Sequence, residues 1–286
     1  MGGNDQARLP IEAQTGDVLL LVQGGVLEDP VSAMIRQITG SPYSHSIVAL
    51  GDGQYAHATP GPKTDVAVFD EATLAKYLQN VERVDLFKPV GPRPDGGQLL
   101  AAVEKLKQAD KAHGSADPTG AVFSDGALVG LAVLRILQDL PELTPGRERL
   151  KNATFFALND TDDRLFCSEF VFRALDMAGT RPVLGPHPVI STEEFPTDDP
   201  HPGLVGFREK VEGWLRRFGF DKDSAMTVRE VWNAIWAAYE RSQVPQKIIR
   251  ANFVAPGDLA QSPSFGGAPV ASRTKDSNGW VAPITA

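Results

Sequence analysis

The sequence is poor in the residues that build metal centres and disulfide frameworks. Its 286 residues include a single cysteine, Cys167, and only five histidines. One cysteine can form no intramolecular disulfide and no cysteine-based zinc site. His113, His187 and His201 lie in loop-like segments without the spacing of metal ligands. We therefore expect neither a metal nor another cofactor.

Positive charge and long apolar runs are scarce as well. The net charge of −8 argues against a nucleic-acid partner, because phosphate binding needs a basic surface. The most apolar window, residues 126 to 137, is interrupted by Arg135 and is shorter than the roughly 20 residues that cross a bilayer. No apolar core of a secretory signal precedes it at the N-terminus. We expect a protein made in the cytoplasm without a transmembrane segment, and the sequence does not indicate its oligomeric state.

Hydrophobic periodicity predicts strands and helices without regular βαβ alternation, which is typical of an α+β fold. The apolar run "GDVLLLV" predicts a strand at residues 16 to 22, and a second strand is predicted at 82 to 89. The tail from Pro256 onward is rich in glycine, proline and serine, and it is predicted to be irregular. Helices are predicted at 27 to 39, 96 to 110, 162 to 179, 207 to 218 and 227 to 243, with a buried helix within 121 to 140.

The segment "SPYSHSIVALGDGQYAHATPG", residues 41 to 61, predicts a hairpin with a histidine on each strand. If residues 51 to 53 form a three-residue loop, His57 is a diagonal neighbour of His45 on one face. A two-residue Asp-Gly turn would place the histidines on opposite faces. The three-residue loop is common in hairpins that contain glycine, so we favour a shared face. Tyr43, two residues before His45, is expected on that face too.

Cys167 is predicted at the start of a helix, where N–H groups and the helix dipole stabilise a thiolate. A thiolate that faces a histidine, itself oriented by a third polar group, is the general arrangement of cysteine nucleophilic catalysis. A cysteine between Phe166 and Phe170 is equally typical of a small buried apolar side chain. The residue types alone leave both interpretations open.

Several segments together resemble a known superfamily. They are "TGDVLLL", "TGSPYSHSIVAL", "YAHATPG", "FCSEFVFRAL" and "FVAPGDLAQSP". These resemble the permuted branch of the NlpC/P60 papain-like superfamily, which includes YiiX-like proteins and lecithin:retinol acyltransferase-like enzymes. In that branch the catalytic order is histidine, polar residue, cysteine, as it is here. The resemblance implies His45 as the base, His57 as its orienting partner and Cys167 as the nucleophile. Many YiiX-like chains carry glutamate where His57 stands, whereas the acyltransferase-like branch uses a second histidine.

The resemblance also implies a fold and its boundaries. The fold would be a circularly permuted papain-like domain, with a small antiparallel sheet packed on the helix that carries the cysteine. This single domain would span residues 15 to 265, between a flexible N-terminus (1 to 14) and an irregular C-terminal tail (266 to 286). Helical insertions are expected near 110 to 160 and 180 to 245, where the resemblance offers no counterpart.

Three functions remain open at this stage. The first is a cysteine hydrolase of the thiol protease or amidase type, cleaving an amide or isopeptide bond such as those of bacterial cell-wall stem peptides through a thioester. The second is a lipid acyl hydrolase or acyltransferase acting on an ester, with peripheral membrane contact suggested by "GWLRRF" at 213 to 218. The third is an inactive binding module. Tyr43 and the N–H of Cys167 are candidate oxyanion donors. Cell-wall action would require export by a specialised secretion system.

Overall fold

The computed structural model describes residues 11–23, 30–58, 66–113, 130–135, 137, 144–159, 166–185, 226–243, 254–276 and 279–281. In chain order its elements are β1 (Val18–Gln23), α1 (Pro30–Thr39), β2 (His45–Gly51), β3 (Gln54–Ala58), β4 (Val66–Asp70), α2 (Glu71–Tyr77), β5 (Val81–Phe87), α3 (Gly96–His113), α4 (Thr144–Asn159), α5 (Cys167–Met177), α6 (Met226–Glu240), α7 (Pro256–Gln261), β6 (Ala271–Asp276) and β7 (Gly279–Val281). Residues 130 to 135 are also helical. The expected α+β class is confirmed.

The strands form one antiparallel sheet in the order β4-β3-β2-β1-β5-β6-β7. β1 lies inside this sheet, hydrogen-bonded to β2 on one side and to β5 on the other. Its side chains from Val18 to Val22 are buried on both faces. That double burial explains why β1 is a continuous apolar run rather than an alternating one.

One face of the sheet is covered by α3 and α5, and we call it the α5 face. The strands present alternate residues such as Leu20 and Val48 to it. α5 contributes Phe170, Val171 and Ala174, all fully buried, at the spacing of one helical stripe. The amphipathic pattern that predicted this helix is therefore the pattern that docks it on the sheet.

The other face is covered by α2 and the 3₁₀ turn that follows it, and we call it the α2 face. Leu21 and Ile47 point to this side and pack with Leu74 and Leu78. α2 begins where the side chain of Asp70 accepts the N–H of Thr73. Because successive strand residues point to opposite faces, the position of a residue within its strand decides whether it meets α2 or α5.

Regular structure occurs in the part of the C-terminal region that the structure describes, residues 254 to 276 and 279 to 281, and for these residues the prediction of an irregular tail was wrong. Residues from Pro256 form α7, and β6 pairs with β5 from Arg83↔Thr274 to Leu86↔Ala271. The sequence of β6, "ASRTKD", shows no apolar alternation, because the strand lies near the sheet edge and its side chains are half or fully exposed. Ile11, assigned to a flexible N-terminus, is instead buried on the α2 face.

Most of the other predicted strands and helices are confirmed, and one lies outside the described residues. The strands at 16 to 22 and 82 to 89, and the helices at 96 to 110 and 227 to 243, are confirmed by β1, β5, α3 and α6. Within the described part, the helix expected at 162 to 179 begins at Cys167, and the helix expected at 27 to 39 begins at Pro30. The helix predicted at 207 to 218 lies outside the described residues. No helix among the described residues is long and apolar enough to cross a membrane.

Candidate active site

The turn between β2 and β3 is built from two residues. Asp52 and Gly53 both have positive φ angles, 51° and 69°, and they connect the pair Gly51↔Gln54. Positive φ at both central positions matches the twist of a hairpin, and Asp-Gly is a preferred sequence for such a turn. Taken alone, this two-residue turn would have placed the two histidines on opposite faces.

A bulge in β2 restores the shared face. The register shifts between Ala49 and Gly51, after which Ala49 pairs with Tyr55. One extra residue in β2 gives the strands the register that a three-residue loop would have produced. The prediction that His45 and His57 share a face is therefore confirmed, although a bulge rather than the loop length is the cause.

The two histidines form a hydrogen-bonded pair. His45 Nε2 and His57 Nδ1 lie 2.9 Å apart, and the two rings meet at 79°. One nitrogen donates a proton and the other accepts it. Tyr77 of α2 packs on both rings, with centroid distances of 5.7 Å to His45 and 5.4 Å to His57, and Phe69 lies 4.7 Å from His57.

This surrounding keeps both imidazoles neutral. Burial lowers the pKa of His57 from 6.5 to about 4. Burial, followed by the charge of His57, holds the pKa of His45 well below 6.5. A neutral imidazole that is oriented by a second one has the protonation state of a general base.

Cys167 is the first residue of α5 and is almost fully buried. No side chain caps this helix end at Phe166, which leaves its first N–H groups available to a ligand or to the thiol. The side chains and the backbone groups of both Ser46 and Ser168 face the sulfur and favour the thiolate. Burial outweighs these groups and raises the pKa of Cys167 above its ordinary value.

A pocket opens beside the thiol. It is a small recess of about 10 Å³, about the room that one water molecule needs, so the surrounding side chains have to move before a larger ligand can enter. Its walls come from α1, the helical residues 130 to 135 and the start of α7. The lining residues are Ile35, Ile38, Thr39, Leu131, Phe166, Cys167, Ala255 and Pro256. All of these side chains except those of Thr39 and Cys167 are purely hydrocarbon.

His45 and Cys167 approach β2 from different sides. His45 pairs with Leu21 across β1 and β2 and packs on Tyr77, which places its ring on the α2 face. Ser46 follows His45 in the same strand and therefore points to the α5 face, where Cys167 lies. The sulfur also faces the backbone of Ser46, so Cys167 lies beside the start of β2. The roles of His45 as base and Cys167 as nucleophile stay predictions.

Tyr43 lies elsewhere than predicted. It packs edge-on against Phe87 on the α5 face, at a centroid distance of 6.0 Å, because β2 begins only at His45 and strand alternation does not extend back to residue 43. The Tyr43 hydroxyl donates to Asp85 Oδ2 at 2.6 Å. Burial, then this bond, raises the pKa of Tyr43. With its hydroxyl engaged by a buried carboxylate, Tyr43 is unsuited to serve as an oxyanion donor.

Sequence reasoning missed Ser46 and the pocket. Ser46 lies on the face of β2 that α5 covers, and the next residue on that face, Val48, is apolar. A polar residue at such a position is the signal that could have identified it. Ile35 and Ile38 lie in the helix predicted at 27 to 39, but periodicity does not reveal which buried residues border a cavity.

Neither a metal centre nor a known relative helps to assign this site. Among the described residues, no three histidine, cysteine, aspartate or glutamate side chains come together in a way that could hold a metal ion. No family model, no curated protein and no solved structure matches the chain.

Proposed function

We propose that the protein is a cysteine-dependent acyl hydrolase or acyltransferase, with Cys167 as the nucleophile and the apolar pocket as the acyl site. The observation that carries the proposal is the thiol at the first residue of α5, in the wall of that pocket. Cys167 Sγ attacks the carbonyl carbon of an ester, the C–O bond breaks, and the alcohol leaves with the thiol proton. Water or a second acceptor then takes the acyl group from the thioester, which restores the thiol.

The pocket favours an acyl chain over a stem peptide. Amide and carboxylate groups of a peptide would lose their solvation against these walls without gaining hydrogen bonds. Each methylene group of an acyl chain that enters the pocket is stabilised by about 0.8 kcal/mol. Ester or thioester substrates with an apolar acyl part are therefore preferred to the amide or isopeptide bond of our first expectation.

The N-terminus of α5 supplies electrostatic support for acyl transfer. The N–H of Ser168 faces the sulfur of Cys167, and the positive end of the helix dipole lies at the same place. An oxyanion that forms on a carbonyl attached to Cys167 would accept hydrogen bonds from such backbone donors. These groups take the role that the sequence assigned in part to Tyr43.

The histidine pair supplies the base in this proposal. The order of strand histidines before helix cysteine, and the packing of α5 on the sheet, support the permuted papain-like fold as part of this proposal. His45 is the first residue of β2 and adjoins Ser46, whose backbone faces the sulfur. Its Nε2 pairs with His57, and its Nδ1 takes the thiol proton of Cys167.

A second candidate function is favoured by the burial of Cys167, which raises the pKa of its thiol. In this alternative the pocket binds an apolar group and the thiol stays inert, because burial keeps it protonated. The domain would then be a binding module without turnover. Both candidates use the same pocket, so they differ in chemistry and not in the chemical class of the ligand.

The experiment is mass spectrometry after incubation with p-nitrophenyl esters from acetyl to dodecanoyl and, separately, with a bacterial envelope fraction. The proposal expects an acyl adduct on the protein and released acid, both absent from the Cys167→Ala variant. His45→Ala should slow the reaction, because it removes the proposed base. Cysteine-dependent shortening of stem peptides would instead establish an amidase. Ester binding without an adduct would establish the binding module, and the absence of both would reject each of these functions.

A further inference from the structure

Ser46 is a buried polar residue whose hydroxyl has no ordinary partner. Its side chain is fully buried, and Ser46 Oγ makes no hydrogen bond of normal geometry to any residue that the structure describes. A buried hydroxyl without a partner costs roughly 1–3 kcal/mol. A native protein retains such a group where it has another use, so its surroundings indicate what that use is.

The neighbouring serines show that this site is exceptional. Ser44 Oγ donates to the carbonyl of Leu21 at 3.4 Å, and Ser168 Oγ donates to the carbonyl of Val254 at 2.6 Å. Both hydroxyls therefore have a structural function. Ser46 lies on the α5 face, and the group that its hydroxyl faces is the thiol of Cys167. The side chain of Ser168 faces the same sulfur, but its single proton is already donated to Val254.

We propose that Ser46 is a positioning residue for Cys167, whose O–H donates to the sulfur when the thiol has lost its proton. With the N–H of Ser168 it then holds the thiolate on the α5 face, directed at the substrate carbonyl. The part that Ser46 plays in acyl transfer rests on the proposed function. Its coupling to the thiol rests on the packing of α5 against β2 alone.

The chemistry of sulfur explains why the hydroxyl has no good partner in the resting protein. A neutral thiol is a weak acceptor, so it offers Ser46 little. A thiolate is a charged acceptor, and hydrogen bonds to charged groups are roughly twice as strong as neutral ones. Ser46 therefore gains its partner in the state that attacks the substrate, and this contact offsets part of the cost of a buried charge.

Ser46→Ala tests the proposal through the rate at which a small thiol reagent, methyl methanethiosulfonate, modifies Cys167 between about pH 5 and about pH 10. We expect the pKa of the thiol to rise by about one unit, so that the rate at each pH below that pKa falls up to about tenfold. The free energy of unfolding should be equal to that of the wild type or higher, because the variant leaves no unpaired hydroxyl. Ser44→Ala is the matched control, which should lower stability and leave the profile in place.

Superimposable profiles for Ser46→Ala and the wild type would overturn the proposal. So would a wild-type thiol that the reagent never modifies, since a substrate could not reach it either. Ester turnover, measured in parallel, separates this result from the fate of the proposed function. A shifted profile without cysteine-dependent turnover would support the coupling of Ser46 to the thiol and reject the acyl transfer. Turnover with an unshifted profile would do the reverse.

Discussion

Mild acid should destabilise the protein through the buried histidine pair. In the folded state burial lowers the pKa of His57 from 6.5 to about 4 and holds the pKa of His45 well below 6.5. Between pH 6.5 and about pH 4, His57 is protonated in the unfolded chain but stays neutral in the folded chain. Stability therefore rises with pH in this window and is lost as pH falls through it.

The size of the loss follows from His57 alone. A shift from 6.5 to about 4, at about 1.4 kcal/mol per unit, amounts to about 3 kcal/mol once the pH is below both values. His45 contributes in the same direction. A single domain has a total stability of about 5–15 kcal/mol, so the stability lost in acid through the histidine pair is a large share of the total. Above about pH 6.5 neither histidine contributes to the pH dependence.

The assay is urea unfolding at several pH values from about 7 to about 4, with the wild type and His57→Gln compared. The slope of the unfolding free energy against pH should be smaller in the variant by about 1.4 kcal/mol per unit within the window. Carboxylates contribute equally to both proteins and cancel in the comparison. NMR of the imidazole protons at neutral and acid pH should show one hydrogen-bonded neutral pair that persists down to about pH 5.

A raised pKa of the His45 imidazole together with a lowered pKa of the Cys167 thiol would refute this reasoning. If His45 faced the thiolate of Cys167, the ion pair would raise the imidazole pKa above 6.5 and would lower that of the thiol. A histidine that titrates above pH 7, together with rapid alkylation of Cys167 at pH 5, would mean that the assembled dyad dominates in solution. The neutral pair on the α2 face would then be the minor arrangement.

Three further outcomes test the packing and the pocket. Tyr43→Phe removes a hydrogen bond to the buried carboxylate of Asp85 and should cost about 1.5–3 kcal/mol in urea unfolding; an unchanged midpoint would contradict that bond. Gly51→Ala should lower the melting temperature more than Gly91→Ala, because both glycines have φ near 100° but only at Gly51 would a Cβ meet a side chain; equal shifts would contradict the close approach. Ile38→Trp should fill the pocket and slow modification by long acyl esters more than by acetyl esters; equal slowing would mean that the chain binds elsewhere.

Local pattern predicted the elements that carry their own apolar signal. β1 is apolar throughout because both of its faces are covered, and α5 shows a stripe of Phe170, Val171 and Ala174. Both patterns record burial, which is what hydrophobic periodicity measures. Element boundaries were less accurate, since helix ends depend on caps and turns of which the sequence shows only part.

Strands that join the sheet without an apolar pattern of their own were missed. β6 has no apolar face, and its place in the sheet comes from backbone hydrogen bonds to β5 and from Ser272, whose hydroxyl bonds to Asp85. Nothing in "ASRTKD" indicates this pairing, because the partner strand and not the residue pattern supplies the stabilisation. The same applies to β4, whose middle residues are only half-buried.

The geometry of the site depended on a choice that the sequence leaves undetermined. The register of the hairpin places His45 beside His57, and Cys167 is the first residue of α5. Both local predictions therefore agree with the structure. Whether these groups meet depends on which face of β2 the helix covers. Both faces are apolar, with Ile47 on one and Val48 on the other, so hydrophobic pattern favours neither. The adjacent polar residues then decide the chemistry. α5 covers the face of Ser46, whose side chain and backbone face the sulfur, and His45 is the adjacent residue of the strand. The thiol titration of single variants at these two neighbouring positions therefore separates an inert thiol from a catalytic one.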